Sequence, residues 1–369
     1  MKFLTKSYFL YIIILSVSLV SCQNNSESKM DWKIIDFNKI QGEKPFNTYF
    51  DALSRYNFNQ ILNHNKDVFF LLGDDSEENH DNYNAIVYST KNFGNYWKKN
   101  AFGKGTVKEG FSLDNEVFII VDTNRFPTSS ERSSILYKSN DFGDSWTEIF
   151  KEDEGNISNI NFYSQKAGIA VFSVKKGNDF VYEYRYTNDG GENWIYFDLN
   201  PDFNAVMTSD ETVLFIENNI NVYELNLKDG KKTLLKNLAV PQNMELAYIR
   251  KDEKNSKLIA YYFGSEQNST KSGICYLDKG QYISLPDGYY INTYDDFFYT
   301  LIDDKPYSSY AWSDDRGKTW KTKKIEEFFI VPTPTGYADK GYVYKLAALF
   351  KGSQEEKGAR LVIGHPVIK

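Results

Sequence analysis

Residues Ser139-Asn140-Asp141-Phe142-Gly143-Asp144-Ser145-Trp146 return in the same pattern at Thr90-Lys91-Asn92-Phe93-Gly94-Asn95-Tyr96-Trp97, Thr187-Asn188-Asp189-Gly190-Gly191-Glu192-Asn193-Trp194 and Ser313-Asp314-Asp315-Arg316-Gly317-Lys318-Thr319-Trp320. Each copy reads Ser/Thr-x-Asp/Asn-x-Gly-x-x-Trp and lies between two β-rich runs, so each reads as a hairpin corner. The Asp or Asn oxygen accepts backbone N–H groups inside the turn, and the Ser/Thr hydroxyl does the same more weakly. Gly supplies backbone angles that a Cβ forbids. Trp then inserts its apolar surface between neighbouring sheets. The expected role of Asn92, Gly94, Trp97, Asp141, Gly143, Trp146, Asp189, Gly191, Trp194, Asp315, Gly317 and Trp320 is therefore structural, away from any ligand.

Two weaker copies keep the register. Leu227-x-Asp229-x-Lys231 retains the acid, and Tyr276-x-Asp278-x-Gly280 retains the acid and the glycine. The acidic or amide position then recurs at spacings of 49, 48, 40, 49 and 37 residues. A period of about 45 residues with β-rich content is that of one four-stranded propeller blade. The predicted fold is all-β: a β-propeller of four-stranded antiparallel blades.

After Trp320 only three strands remain, at 328–332, 342–350 and 359–364, while Asp31 to Asp36 is a strand without a partner. Pairing that first strand with the last blade predicts seven blades, with six as the alternative. It also predicts that the N-terminal strand closes the ring and removes both sheet edges.

The corners resemble the Asp-box (BNR) repeat of sialidases and other β-propellers; Ser139 to Trp146 and Ser313 to Trp320 match it in full. The resemblance implies a propeller whose ligand face is the one away from the boxes. On that face it places the loops 73–83, 122–133, 264–272 and 351–358. Asn124-Arg125-Phe126-Pro127 is similar to the Arg-Ile-Pro motif of sialidases, although it falls after the first box instead of before it. Arg125 is therefore the candidate ligand-binding residue, suited to pair a carboxylated sugar in bidentate fashion.

The N-terminus has Lys2 and Lys6, an apolar run from Tyr8 to Val20, and Leu19-Val20-Ser21-Cys22. Residues 1–21 read as a secretory signal. Leu-Val-Ser-Cys resembles the lipobox of bacterial lipoproteins, which implies lipidation of Cys22. Residues 22–30 read as a polar tether and 31–369 as one propeller domain. Loss of Lys2 and Lys6 takes the net charge from −7 to −9. An acidic chain without a basic stripe is not suited to nucleic acid. The only other cysteine is Cys275, in an apolar strand, which excludes a disulfide framework.

Candidate chemistry is sparse. The acidic loop Asp74-Asp75-Ser76-Glu77-Glu78-Asn79-His80-Asp81 lacks the glycine of a calcium loop and reads as a solvated hairpin tip. His64, His80 and His365 are too scattered for a metal set. No catalytic residue, cofactor or metal is expected. The resulting expectation is a monomeric, lipid-anchored bacterial envelope protein, at the outer membrane or cell surface. It binds or assembles a glycan or protein without catalysis. The alternative is a sialidase-like glycoside hydrolase.

Overall fold

The computed structural model describes residues 30–36, 56–65, 67–76, 83–124, 132–200, 204–218, 220–238, 240–252, 257–266, 269–285, 292–294, 297–304, 307–324, 336–339, 342–347, 350–351, 354–355 and 360–366. Six four-stranded antiparallel blades are each cut from a continuous stretch of chain, in the order inner edge to rim. Blade 1 is Tyr56–Asn63, Phe69–Ser76, Tyr83–Thr90 and Lys98–Lys104. Blade 2 is Thr106–Leu113, Glu116–Asp122, Ser134–Ser139 and Thr147–Glu152. Blade 3 is Gly155–Phe162, Gly168–Lys176, Asp179–Thr187 and Ile195–Tyr196. Blade 4 is Ala205–Ser209, Thr212–Glu217, Asn221–Asn226 and Lys232–Asn237. Blade 5 is Met244–Lys251, Leu258–Glu266, Ser269–Tyr276 and Gln281–Ser284. Blade 6 is Asn292–Tyr294, Phe297–Asp304, Tyr307–Ser313 and Lys321–Lys324.

One further four-stranded sheet joins the chain ends. Its order is Gly336–Asp339, Tyr342–Ala347, Arg360–Pro366 and Met30–Asp36, and Met30 to Asp36 pairs antiparallel with Pro366 to Arg360. This corrects two expectations, the count of seven blades and the closure of the ring by the N-terminal strand. The N-terminal strand does not remove the edges of a sheet; it stands at the end of the strand order and is itself an open outer edge. A propeller ring is held by blade faces packing on one another, so pairing one more strand moves an edge without abolishing it. The innermost strand is Gly336–Asp339, whereas the expected run at 328–332 lies outside the described residues. The result is six self-contained blades and one sheet assembled from both ends.

The core lies between blades. The second strand of each blade is buried on both faces, as in Phe69 to Leu72, Val117 to Val121 and Ile169 to Phe172. Such strands read as continuous apolar runs. Alternate residues serve the two clefts. Phe70 and Leu72 of blade 1 pack with Val117, Ile119 and Val121 of blade 2, while Phe118 and Ile120 turn to Ile157, Ala170 and Phe172 of blade 3.

Candidate functional site

The corners divide the molecule into two ends. In the second corner the Ser139 hydroxyl donates to Asp141 Oδ1 at 2.8 Å and accepts the Gly143 N–H at 2.8 Å. Asp141 Oδ1 also accepts the Ser145 N–H at 2.8 Å, and Oδ2 accepts the Ser145 hydroxyl at 2.6 Å. The third and sixth corners repeat all four bonds with Thr187, Asp189, Gly191 and Asn193, and with Ser313, Asp315, Gly317 and Thr319. The first keeps the bonds that one amide oxygen at Asn92 can accept, from Thr90 Oγ1 at 3.1 Å and Tyr96 N–H at 2.9 Å. Burial alone would push Asp141 upward, but the bonds from Ser145 and Ser139 hold its carboxyl at about 2.

The weak copies build something else. In blade 4 Asn226 Oδ1 accepts the Lys228 and Asp229 N–H groups, and Asp229 only the Lys231 N–H. In blade 5 Tyr276 pairs directly with Gln281, which leaves a tight turn in which Asp278 accepts the Lys279 N–H and Gly280 has φ 65°. Neither turn carries a Trp.

In blades 1 and 3 the boxed corner lies beside the turn between the first two strands, with Phe93 N–H to Asp67 O and Gly190 N–H to Lys166 O both at 2.8 Å. The hairpins between second and third strands and the blade-to-blade connections therefore share the opposite end, the candidate ligand end. Arg125 lies outside the described residues, as do Cys22 and the signal segment.

The described part of this end differs from a set of solvated loops. Strand pairing in blade 1 runs on to Ser76 and Tyr83, so Asp74 and Asp75 are buried strand residues and not a hairpin tip. Strand pairing in blade 5 likewise runs to Glu266 and Ser269, which shortens the expected long loop at 264–272. The Thr106 hydroxyl donates to Asp74 at 2.6 Å, and Asn59 Nδ2 donates to both Thr106 Oγ1 and Val107 O at 2.8 Å. Lys99 pairs with Asp75 at 2.9 Å. Ser134 donates to Asp122 and accepts the Ile157 N–H of blade 3 at 3.2 Å. In blade 3 Arg185 bonds Glu183 at 2.7 Å and Glu152 of blade 2 at 3.2 Å, and lies 4.4 Å over the Phe172 ring. Against the upward effect of burial, Arg185 and Lys176 hold the Glu183 carboxyl below its ordinary value. Arg132 stacks 4.5 Å over Phe180, and Tyr182 and Tyr196 are exposed on the same blade.

Toward the channel, the innermost strands of blades 1 to 5 each break register by a bulge. Bulges re-aim side chains. Gln60 clasps the Gly110 backbone with bonds of 2.7 and 3.2 Å, Glu109 accepts the Ile160 N–H at 2.9 Å, and Asn204 accepts the Ile249 N–H at 3.0 Å. Burial drives the Glu109 carboxyl above its ordinary value, against the opposing pull of the Ile160 N–H and Lys108. Sequence reading missed these residues. Their only trace is a polar break in an apolar strand, as in Phe58-Asn59-Gln60-Ile61. Among the described residues no group of three or more His, Cys, Asp or Glu could hold a metal ion.

No protein-family model matches the chain, and no curated protein matches it. Solved structures do. An oligogalacturonate lyase from Vibrio parahaemolyticus aligns with a TM-score of 0.54 at 10% identity, over 92% of this chain and 98% of that one. The β-propeller domain of the Trilobed protease from Pyrococcus furiosus, described as having an open velcro topology, gives 0.52 at 10% identity over 82% and 97%. YCF48 bound to D1 peptide gives 0.49 at 12% identity over 90% and 96%. The chain is a β-propeller. At such identities the likeness extends to fold alone, which catalytic and non-catalytic proteins share.

Proposed function

We propose that this protein is a lipid-anchored binding propeller of a bacterial cell envelope, taking a glycan or protein at the end away from its boxed corners without chemistry. The observation that supports this reading is the commitment of the carboxylates at that end. Asp74, Asp75, Asp122 and Glu183 are each held by a partner in the same or the neighbouring blade. A carboxylate fixed in this way is not poised to move a proton, whereas glycoside hydrolysis needs two carboxyl groups aimed at one bond. Arg125 is the proposed contact for a carboxylated ligand, with exposed tyrosines such as Tyr182 offering rings for stacking.

The second reading, a sialidase-like glycoside hydrolase, is favoured by Glu109. Its carboxyl sits on an innermost strand with its pKa raised, which is the condition of a general acid. A glycan array and fluorogenic sialosides applied to the purified protein separate the two. The binding reading expects saturable ligand capture, weakened by Arg125→Ala, with no turnover. Turnover by the wild type that is lost in Glu109→Gln would replace it with the hydrolase.

A further inference from the structure

Where boxes are intact, the staple Trp fills the cleft toward the preceding blade. Trp146 meets Phe70 and Phe102 of blade 1 at ring-centroid distances of 6.5 and 5.6 Å. Trp194 meets Phe150 of blade 2 at 6.5 Å, and Trp320 packs on the cluster of Ile259, Tyr261, Ile274 and Tyr276 in blade 5. The blade 5 corner has no Trp, and its cleft toward blade 4 holds a cavity of about 440 Å³.

That cavity is the staple slot without its staple. Leu214 and Leu258, which line it, stand in the positions of Phe70 and Val117 in the cleft between blades 1 and 2. In both clefts an outer-strand side chain of the preceding blade bonds a backbone carbonyl of the next corner. Asn100 of blade 1 donates to Gly143 O at 2.9 Å, and Lys236 of blade 4 donates to Leu277 O at 2.6 Å. A leucine stands where Phe70 does in the other cleft, and no indole enters. The volume lies in the range of about 300–1,000 Å³ typical of ligand clefts.

The mouth specifies what fits. Lys236, Lys257 and Asp278 stand among the residues that line it, two cations and one carboxylate. Leu235, on the outer strand of blade 4, is 50% exposed and extends the apolar wall outward. We propose that this cleft binds an aromatic side chain, of indole size, presented by a partner polypeptide with carboxylates beside it. The ring takes the place of the missing staple, and the carboxylates meet the lysines. An aromatic anchor in a pre-formed pocket is the form that concentrated binding energy takes at interfaces.

Calorimetric titration of the whole protein with end-blocked tripeptides tests this. Tryptophan between two glutamates should bind saturably in the micromolar to millimolar range. Replacing its tryptophan by alanine, or its glutamates by lysines, should weaken binding by about tenfold or more. Leu214→Trp, which fills the slot from inside, should abolish binding while the folded state is retained. Lys257→Glu changes only the mouth and should shift preference toward the lysine-flanked peptide, so it carries the test if the filled variant does not fold. No saturable binding of the glutamate-flanked peptide overturns the proposal. So does binding indifferent to loss of the indole, or to Lys257→Glu.

Discussion

Phe142 and Gly143 both adopt left-handed backbone, with φ of 55° and 85°. Phe93, Gly190 and Arg316 hold the same position as Phe142, at 53°, 84° and 63°. The corner thus needs two successive residues in a region that L side chains avoid, yet only the second is reliably glycine. At Gly143 the reason is space as well as angle. A Cβ there would lie 2.9 Å from the Phe70 ring and 3.0 Å from Ser89 Cβ. Gly143→Ala should destabilise by about 1–3 kcal/mol, measured by denaturant unfolding. Asp141 gives a prediction in pH. Its carboxyl is held at about 2, below the unfolded value of about 3.9. Its contribution is therefore complete above about pH 4 and is lost as pH falls through about 2. Asp141→Asn should be less stable than wild type at neutral pH, with the gap closing across that window in melting curves. Melting curves with a constant gap would contradict the assignment.

The strands carry a second set of connections, between blades. Lys33 of the N-terminal strand donates to Phe93 O and, at 3.0 Å, to Asn95 Oδ1 of the first corner. Lys98 donates to Asp144 O of the next corner, and Lys236 to Leu277 O. Three outer strands thus latch the corner of the following blade, and the N-terminal strand is one of them. Lys33→Ala should cost about 1 kcal/mol and loosen the joint between the chain ends, seen as faster hydrogen exchange in residues 30–36. On the channel side Glu109 is the element-scale titration. A carboxyl raised in the folded state penalises folding from its ordinary pKa upward, so the penalty is present at neutral pH and absent in acid. Glu109→Gln keeps an acceptor for the Ile160 N–H and removes the charge. It should raise the melting temperature at neutral pH and leave it unchanged near pH 4.

The whole molecule is a ring of sheets in which function depends on what the ends of the clefts present. One end is braced by boxed corners. The other carries the blade-to-blade connections and a network of Asp74, Thr106, Asn59, Asp122, Ser134, Glu183 and Arg185 that ties blades 1 to 3 together. The proposed lipid anchor sets where this ring works. Cys22→Ser should release the protein from the membrane fraction, or leave it unprocessed, while the propeller remains folded. Mass spectrometry that finds an unmodified mature Cys22 thiol in the wild type would exclude the anchor.

The corners were legible because their bonds are local. Ser139, Asp141, Gly143 and Ser145 lie within seven residues, so their pattern encodes a turn whatever surrounds it. The second strands were legible for a related reason, since burial on both faces demands an unbroken apolar run such as Val117 to Val121. The periodicity then determined a propeller. The contacts between blades were not legible. Asn59 to Thr106, Glu109 to Ile160 and Lys236 to Leu277 join residues 41 to 51 positions apart. Nothing local requires those partners. Asp74 and Asp75 read as a solvated tip because acidic pairs usually are; only the neighbouring Thr106 and the cross-strand Lys99 make their burial possible. The slot between blades 4 and 5 was likewise visible in sequence only as a missing tryptophan. Whether the walls collapse over such a gap or keep it open is decided by packing, and here a cavity of about 440 Å³ remains between blades 4 and 5.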